Sequence, residues 1–210
     1  MPWYNNYQEI ITDIARESGE EGSELDTILL NLCQSVVGFL NTLRGQFREA
    51  QGTIALAAND FDYSIPADFD ELIDRKTALY YLSGTRRIIV PLANSRRDFI
   101  EGWDTASTGD PALAWIFNNL LHVRPTPNAA RTLYLDYYKI LAKPTLAGAV
   151  VIPDKYIMAL RGLVAERLEH YRETPDRGAL FRDLAGAVIK VIKRDYDQNV
   201  LPQAIIEEDD

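Results

Sequence analysis

The sequence predicts an α+β protein: a four-helix core, made of two N-terminal and two C-terminal helices, carries an inserted antiparallel β-domain. Apolar residues recur at three- and four-residue steps near both ends of the chain. The middle instead contains short alternating runs separated by Gly, Pro, Asn and Ser. With 210 residues, 47% of them hydrophobic, the chain is long enough to build a full hydrophobic core.

Two amphipathic helices are predicted within residues 1–46. From Tyr7 to Ser18 the apolar residues share one helix face, and Gly19 interrupts that pattern. Ser23 is expected to cap the second helix, because acidic residues follow it in the first turn. The apolar pattern of this helix continues to about Arg44.

The inserted β-domain is predicted over residues 47–150. Segments 53–56 and 61–65 are expected to form a β-hairpin around the turn-forming pair Asn59-Asp60. A short helix is expected within 94–103, with Ser95 as its cap. The remaining strands are predicted over residues 72–81, 86–90, 113–117, 120–124 and 132–140.

The helical period returns over residues 151–197. Pro153 suits the first turn of one helix, and Pro175 marks the start of the last one. Residues 198–210 lose the period and are expected to form an extended tail. Because such a tail cannot bury apolar side chains on a helix of its own, we expect four of them to dock on a partner: Val200, Leu201, Ile205 and Ile206.

The net charge of −9 is concentrated near the two ends of the chain. Residues 1–30 carry −6 and the last four residues carry −4, whereas the part between them is nearly neutral. An acidic chain without a basic stripe is a poor candidate for specific nucleic-acid binding. No signal peptide and no membrane span are predicted, so we expect a protein that is made in a cytoplasm and has no membrane partner.

No catalytic residue, cofactor or metal site is predicted. His122 and His170 lie in different elements, Cys33 lies in an apolar helical pattern, and no phosphate-binding or nucleophile motif is present. The acidic residues Asp68, Asp70, Glu71 and Asp74 favour a solvated loop that leads into a strand. The alternative interpretation, a divalent-metal site of a hydrolase, lacks a recognisable ligand spacing.

Aromatic and arginine pairs are the candidate contact residues of the β-domain. In a strand, adjacent side chains point to opposite faces, so one ring of Tyr80/Tyr81 and one of Tyr137/Tyr138 should be exposed. We predict that contacts with other subunits or partners involve Tyr81, Tyr138, Arg86, Arg87, Arg96 and Arg97.

Four stretches in a fixed order resemble one known family. The first contains Thr53-Ile54-Ala55-Leu56 and then Ile65-Pro66-Ala67-Asp68-Phe69; the second is Leu72-Ile73 with the tyrosine-rich strand after it. The third is Leu121-His122-Val123-Arg124-Pro125-Thr126-Pro127 followed by Leu133-Tyr134-Leu135-Asp136-Tyr137-Tyr138. The fourth is Ile152-Pro153-Asp154-Lys155-Tyr156, with Pro175-Asp176-Arg177 and Phe181 in the next helix. Covering about residues 24–197, they resemble the head–tail connector (neck adaptor) proteins of tailed bacteriophages.

This resemblance implies a structural virion protein without enzymatic activity. It implies a ring of about twelve copies at the neck, with the portal protein on one side and tail or nozzle proteins on the other. The tail residues named above would dock on the portal, and the tyrosines and arginines would contact neighbouring subunits or the tail. The ring would assemble in the bacterial host cytoplasm, and DNA would pass through it without specific binding. The alternative within this structural class is another ring protein, a head-completion stopper or a tail terminator.

Overall fold

The computed structural model describes residues 4–19, 22–101, 107–172, 182–183, 186–187 and 189–192. It divides into two compact units, one formed by Met1–Phe47 with Leu141–Asp210 and the other by Arg48–Ile140. The predicted α+β class with antiparallel sheets is confirmed. The α-helices of the described residues are α1 (Tyr7–Ser18), α2 (Ser23–Leu40), α3 (Arg96–Glu101) and α4 (Asp154–Tyr171), and a short 3-10 helix spans Gln46–Arg48.

Helix α1 has the predicted bounds. The Asn6 side chain accepts a hydrogen bond from the Glu9 backbone N–H at 3.0 Å, which caps the first turn. At the other end, the backbone N–H of Gly19 donates to the carbonyl groups of Ala15 and Arg16. The apolar face that the sequence pattern indicated is buried: Tyr7, Ile10, Ile11, Ile14 and Ala15.

Helix α2 differs from its predicted bounds at both ends. It begins at Ser23 itself and its cap residue is Gly22, so the prediction of Ser23 as the cap is wrong. It ends at Leu40 rather than near Arg44. The Asn41 side chain accepts from the backbone N–H of Leu141 at 2.8 Å and donates to its carbonyl at 3.3 Å. These bonds to a distant part of the chain fix the end of the helix at this point. The helical period of the sequence cannot reveal them.

The first unit is built around one helical core. Helices α1, α2 and α4 contribute its buried side chains, among them Leu29, Cys33, Leu160 and Val164, each 0% exposed. Ile192, which has helical backbone, also lies in this core. Most of the predicted last helix and the whole predicted tail, residues 198–210, lie outside the described residues.

Among its described residues, the second unit contains ten strands: β1 (Glu49–Leu56), β2 (Asp62–Ser64), β3 (Phe69–Leu72), β4 (Leu79–Ser83), β5 (Arg86–Ile89), β6 (Thr108–Gly109), β7 (Leu113–Phe117), β8 (Leu120–Arg124), β9 (Thr126–Pro127) and β10 (Arg131–Lys139). A five-stranded sheet has the order β1-β10-β4-β5, and β3 pairs with β10 beside β4. Strands β2, β8 and β7 form a second antiparallel sheet, whereas β6 and β9 form a short parallel pair.

The predicted hairpin between 53–56 and 61–65 does not form. The turn exists, with Asn59 at φ 64°, but β1 pairs along its whole length with β10, and β2 pairs with β8 in the other sheet. Pairing with β10 places Ile54 beside Leu133, in the core that they share. The long-range partner therefore buries more apolar surface than a local three-residue pairing would.

The predicted strand over 72–81 is two strands, β3 and β4, separated by a turn. The Asp74 carboxylate accepts hydrogen bonds from the Lys76 N–H at 3.0 Å and the Thr77 hydroxyl at 2.6 Å, which lowers the pKa of Asp74.

Helix α3 lies within the predicted range, and the Ser95 hydroxyl accepts from the Asp98 N–H at 3.1 Å as expected. The other four predicted strands agree with β5, β7, β8 and β10 to within one residue at each end.

Within the described ranges, no helix combines the length and the apolar character that crossing a membrane would require.

Substituting Leu135→Ala should destabilise the protein by about 2–5 kcal/mol, because Leu135 is 0% exposed in the core under β10. Thr132→Ala is the matched control, since Thr132 is exposed on the opposite face of the same strand. That change should stay within about 0.5 kcal/mol. Urea unfolding followed by circular dichroism measures both. Equal effects of the two substitutions would contradict the assignment of the two faces.

The single thiol, Cys33, should resist alkylation in the folded protein. Burial raises its pKa to about 12, and only a thiolate reacts rapidly. At pH 8, iodoacetamide should label the urea-unfolded chain completely and the native chain hardly at all. Because the thiol ionises more easily once unfolded, its contribution to stability should decline as the pH rises above about 9.

A Cys33→Ala, Asn31→Cys variant provides the control, because Asn31 is exposed on the same helix. It should be labelled quickly in the native state. Fast labelling of native Cys33 would show that helix α2 is not packed as described.

Candidate interaction surfaces

The five-stranded sheet presents one face to the core of its unit and a second, outer face that is partly exposed. The register aligns Thr53, Tyr134, Tyr80 and Ile89 across four neighbouring strands on the outer face. Leu82 and Ile89 are 47% and 44% exposed there. The outer face thus combines apolar side chains that solvent reaches with two tyrosine rings.

The tyrosines of this face are held by a polar network. The rings of Tyr80 and Tyr134 stack with centroids 5.2 Å apart, and the Arg87 guanidinium lies 3.6 Å from the centroid of the Tyr80 ring. The Gln51 amide donates to the Tyr80 hydroxyl at 3.1 Å and to the Asp136 carboxylate at 2.8 Å. Such fixed rings lose little entropy on binding, which favours a contact surface for another protein.

A second surface is a cleft of about 170 Å³ beside helix α3. Strands β7 and β8 place Trp115 and His122 in register on the face where Phe99 of α3 approaches the His122 ring. The cleft is lined by Phe61, Arg96, Phe99, Ile100, Trp115, Phe117, His122 and Arg124. Three of these are large and unusually exposed: Phe61 at 41%, Ile100 at 51% and Phe117 at 56%.

Arginines lie over the aromatic rings of this cleft. The Arg124 guanidinium is 5.3 Å from the ring centroid of Phe61 and 5.8 Å from that of Phe99, and Arg96 lies 5.8 Å from that of Phe117. His122 forms a close pair with Asp62 across β2 and β8. The combination of exposed apolar rings and arginine is typical of protein–protein contact surfaces.

Two of the predicted contact residues are buried. Tyr81 is 4% exposed and packs in the core, whereas Tyr80 lies on the outer face. The two tyrosine rings do point to opposite faces, as predicted, but the outward ring is that of Tyr80 and not of Tyr81. Tyr138 is 1% exposed although Tyr137 is buried as well. Arg48, itself buried, lies with its guanidinium 5.8 Å from the centroid of the Tyr138 ring. Both faces of β10 are therefore covered at this end of the strand.

The four predicted arginines are exposed. Arg86 and Arg87 lie on edge strand β5, and Arg96 and Arg97 lie on helix α3. Arg96 borders the cleft, whereas Arg97 donates to Glu101 at 2.8 Å on its own helix. The arginines thus mark two surfaces of the second unit.

The exposed apolar side chains that lie next to these arginines were not predicted from the sequence. Phe117 ends the run Leu113-Ala114-Trp115-Ile116-Phe117, which is apolar on both faces of the strand. A strand with only one face in the core needs polar residues on the other. An unbroken apolar run of this kind was therefore the available signal for a second covered or docking face.

The carboxylates of the acidic segment have separate structural roles. Asp68 accepts a hydrogen bond from the Tyr137 hydroxyl at 2.8 Å, Asp70 pairs with Arg48, and Asp74 caps the turn after β3. In the part of the chain that the structure describes, no three His, Cys, Asp or Glu side chains are grouped to hold a metal ion. The metal-hydrolase alternative thus has no geometric support in those residues.

Comparison with known proteins identifies the family of this chain. A family model described as SU10 adaptor protein matches residues 5–204, which is nearly the whole chain. A comparison with curated proteins found no match. The matched stretch includes all the described helices and strands of both units. The chain therefore belongs to the SU10 adaptor family, a family of phage head–tail adaptors, and is a structural component of a virion.

Proposed function

We propose that this adaptor forms a ring of about twelve copies at the virion neck, between the portal and the tail or nozzle proteins. The family match over residues 5–204 is the observation that carries this proposal. A closed ring requires two different patches on each subunit, because each copy contacts its two neighbours through unlike surfaces. The outer sheet face and the α3 cleft supply two such patches on the second unit.

Each patch combines exposed apolar groups with arginine. We assign contacts with neighbouring subunits or tail proteins to Arg86 and Arg87 on the sheet and to Arg96 and Arg97 on helix α3. Tyr80 takes the role that the sequence assigned to Tyr81, because its ring borders the exposed Leu82 and Ile89. Tyr138 is left out of this surface because it is buried.

In the first unit we propose that the helix after Pro175 completes a four-helix core. Ile192 supports this, since it has helical backbone and is 1% exposed among the side chains of α1, α2 and α4. The tail that follows is the proposed portal-docking segment, through Val200, Leu201, Ile205 and Ile206. In an extended peptide, backbone hydrogen bonds supply affinity and alternate side chains supply specificity.

Deleting residues 199–210 should abolish or greatly weaken binding to the portal protein. The unfolding temperature of the free protein should move by less than about 3 °C, since the described core residues of both units all lie before residue 199. Calorimetry measures stability, and co-sedimentation with portal rings measures binding. A full-length variant with Ser at positions 200, 201, 205 and 206 separates loss of apolar contacts from loss of length and charge. Normal portal binding by both variants would contradict docking through the tail.

The purified chain should be a monomer or a small oligomer, and its ring should close only on the portal. The mean hydropathy of −0.18 argues against a large, permanently exposed apolar surface on the free chain. A portal, in contrast, presents many subunits at fixed spacing, which strengthens weak pairwise contacts. Mass photometry of the free chain and of its mixture with portal rings tests this. A stable large ring without portal would contradict the template requirement, and no binding to any portal ring would contradict the neck position.

A further inference from the structure

The five-stranded sheet ends in two edge strands, β1 and β5, which differ in their charge. Among the described residues, no strand pairs with the outer side of either one. Strand β5 carries the cations Arg86 and Arg87 within four residues. Strand β1 is eight residues long, and its single charged residue is Glu49 at the first position. Proteins usually protect an open edge with charges, proline, a bulge or a short strand, so β1 is the less protected edge.

The hydrogen-bonding direction along β1 follows from the neighbouring strand β10. The Asp136 N–H donates to the Ala78 carbonyl at 2.9 Å, and the Asp136 carbonyl accepts from the Ile73 N–H at 3.2 Å. Both backbone groups of Asp136 therefore point away from β1, so the facing residue Gln51 does not bond to β10. By alternation, the backbone groups that point to the open side of β1 belong to Glu49, Gln51, Thr53 and Ala55.

These four residues are self-complementary when two β1 strands run antiparallel. All four are exposed. In an antiparallel pair, residues whose backbone groups point to the partner must face one another, so these positions of one strand face the same positions of the other. One register uses all four: Glu49 faces Ala55 and Gln51 faces Thr53, around a two-fold axis at Gly52. The two Glu49 side chains then lie at opposite ends, so no like charges face each other.

We propose that two copies of the free protein pair through β1 in this register, as a symmetric dimer whose two sheets join into one. A second copy is the partner that this edge fits, because the nearly uncharged strand complements itself. The dimer also limits itself. Its joined sheet ends on both sides in β5, where Arg86 and Arg87 oppose pairing between identical edges. The inference goes beyond the proposed function, since it concerns the chain without its portal.

Sedimentation velocity of the full chain tests the pairing over a concentration series that reaches about 1 mM, because a contact through one strand is small and therefore weak. The protein should pass from monomer to dimer as the concentration rises. A monomer at every concentration would overturn the proposal. Growth beyond a dimer would indicate pairing of β1 with β5 of another copy and would overturn it as well.

Thr53→Pro tests the backbone hydrogen bonds of the contact. Proline removes an N–H group from the open side of β1 and leaves the hydrogen bonds to β10 in place. The dissociation constant should rise at least about tenfold, because each copy loses one hydrogen bond to its partner. Thr53→Ala, which keeps the N–H group, is the matched control and should dimerise normally. Circular dichroism checks the fold of both variants. Equal dimerisation of the two would overturn the proposal.

Charge variants test the register without proline. Within one copy, positions 49 and 55 lie about 20 Å apart along an extended strand, so charges there interact little. Across the dimer they face each other. Ala55→Glu should therefore weaken dimerisation, and combining it with Glu49→Lys should restore it. Thr132→Glu is the control, because Thr132 lies beside Ala55 on β10, one strand farther from the edge, and should weaken dimerisation less. Equal effects of the two added glutamates, or no restoration, would overturn the proposal.

These results are separable from the proposed function. If the chain stays monomeric but binds portal rings, only the inference fails. If it dimerises through β1 but binds no portal ring, the pairing stands and the neck position fails.

Discussion

The pairing of β10 along both of its edges is the constraint on which the second unit depends. Strand β1 occupies one side for eight residues, and β3 and β4 share the other. Leu133 and Leu135 are 0% exposed beneath it. The close packing leaves little room for a side chain at Gly52 of β1, where a Cβ would lie 3.0 Å from a Leu135 methyl group and 3.1 Å from the Pro66 ring, so both neighbours would have to shift. Strand order, register and the direction of the outer face all follow from this pairing.

Because β10 is paired on both sides, the residues of the outer face are held in register across the sheet. Its tyrosine stack spans β10 and β4, and Gln51 and Arg87 join that stack to the two flanking strands. The α3 cleft is formed differently. There a short helix lies over one face of the second sheet, and aromatic rings remain exposed beside it. An assembly protein needs such preformed surfaces because binding then requires little further ordering.

Among the described residues, no strand pairs with the outer side of β5, so this edge of the sheet carries its own protection. Two arginines discourage pairing between identical edges, because like charges directly opposite destabilise a sheet.

Sequence by itself determined the element types, the α+β class and the family resemblance, because helical and strand periods are local and the family motifs are linear. It located α1, β7 and β8 to the residue. It could not determine which strands pair: β1 lies closer in sequence to β2 but gains a longer partner in β10. Nor could alternation decide which tyrosine faces outward, or that Tyr138 is covered on both faces. Those outcomes depend on which distant segments bury the most apolar surface together, and only the tertiary structure decides that.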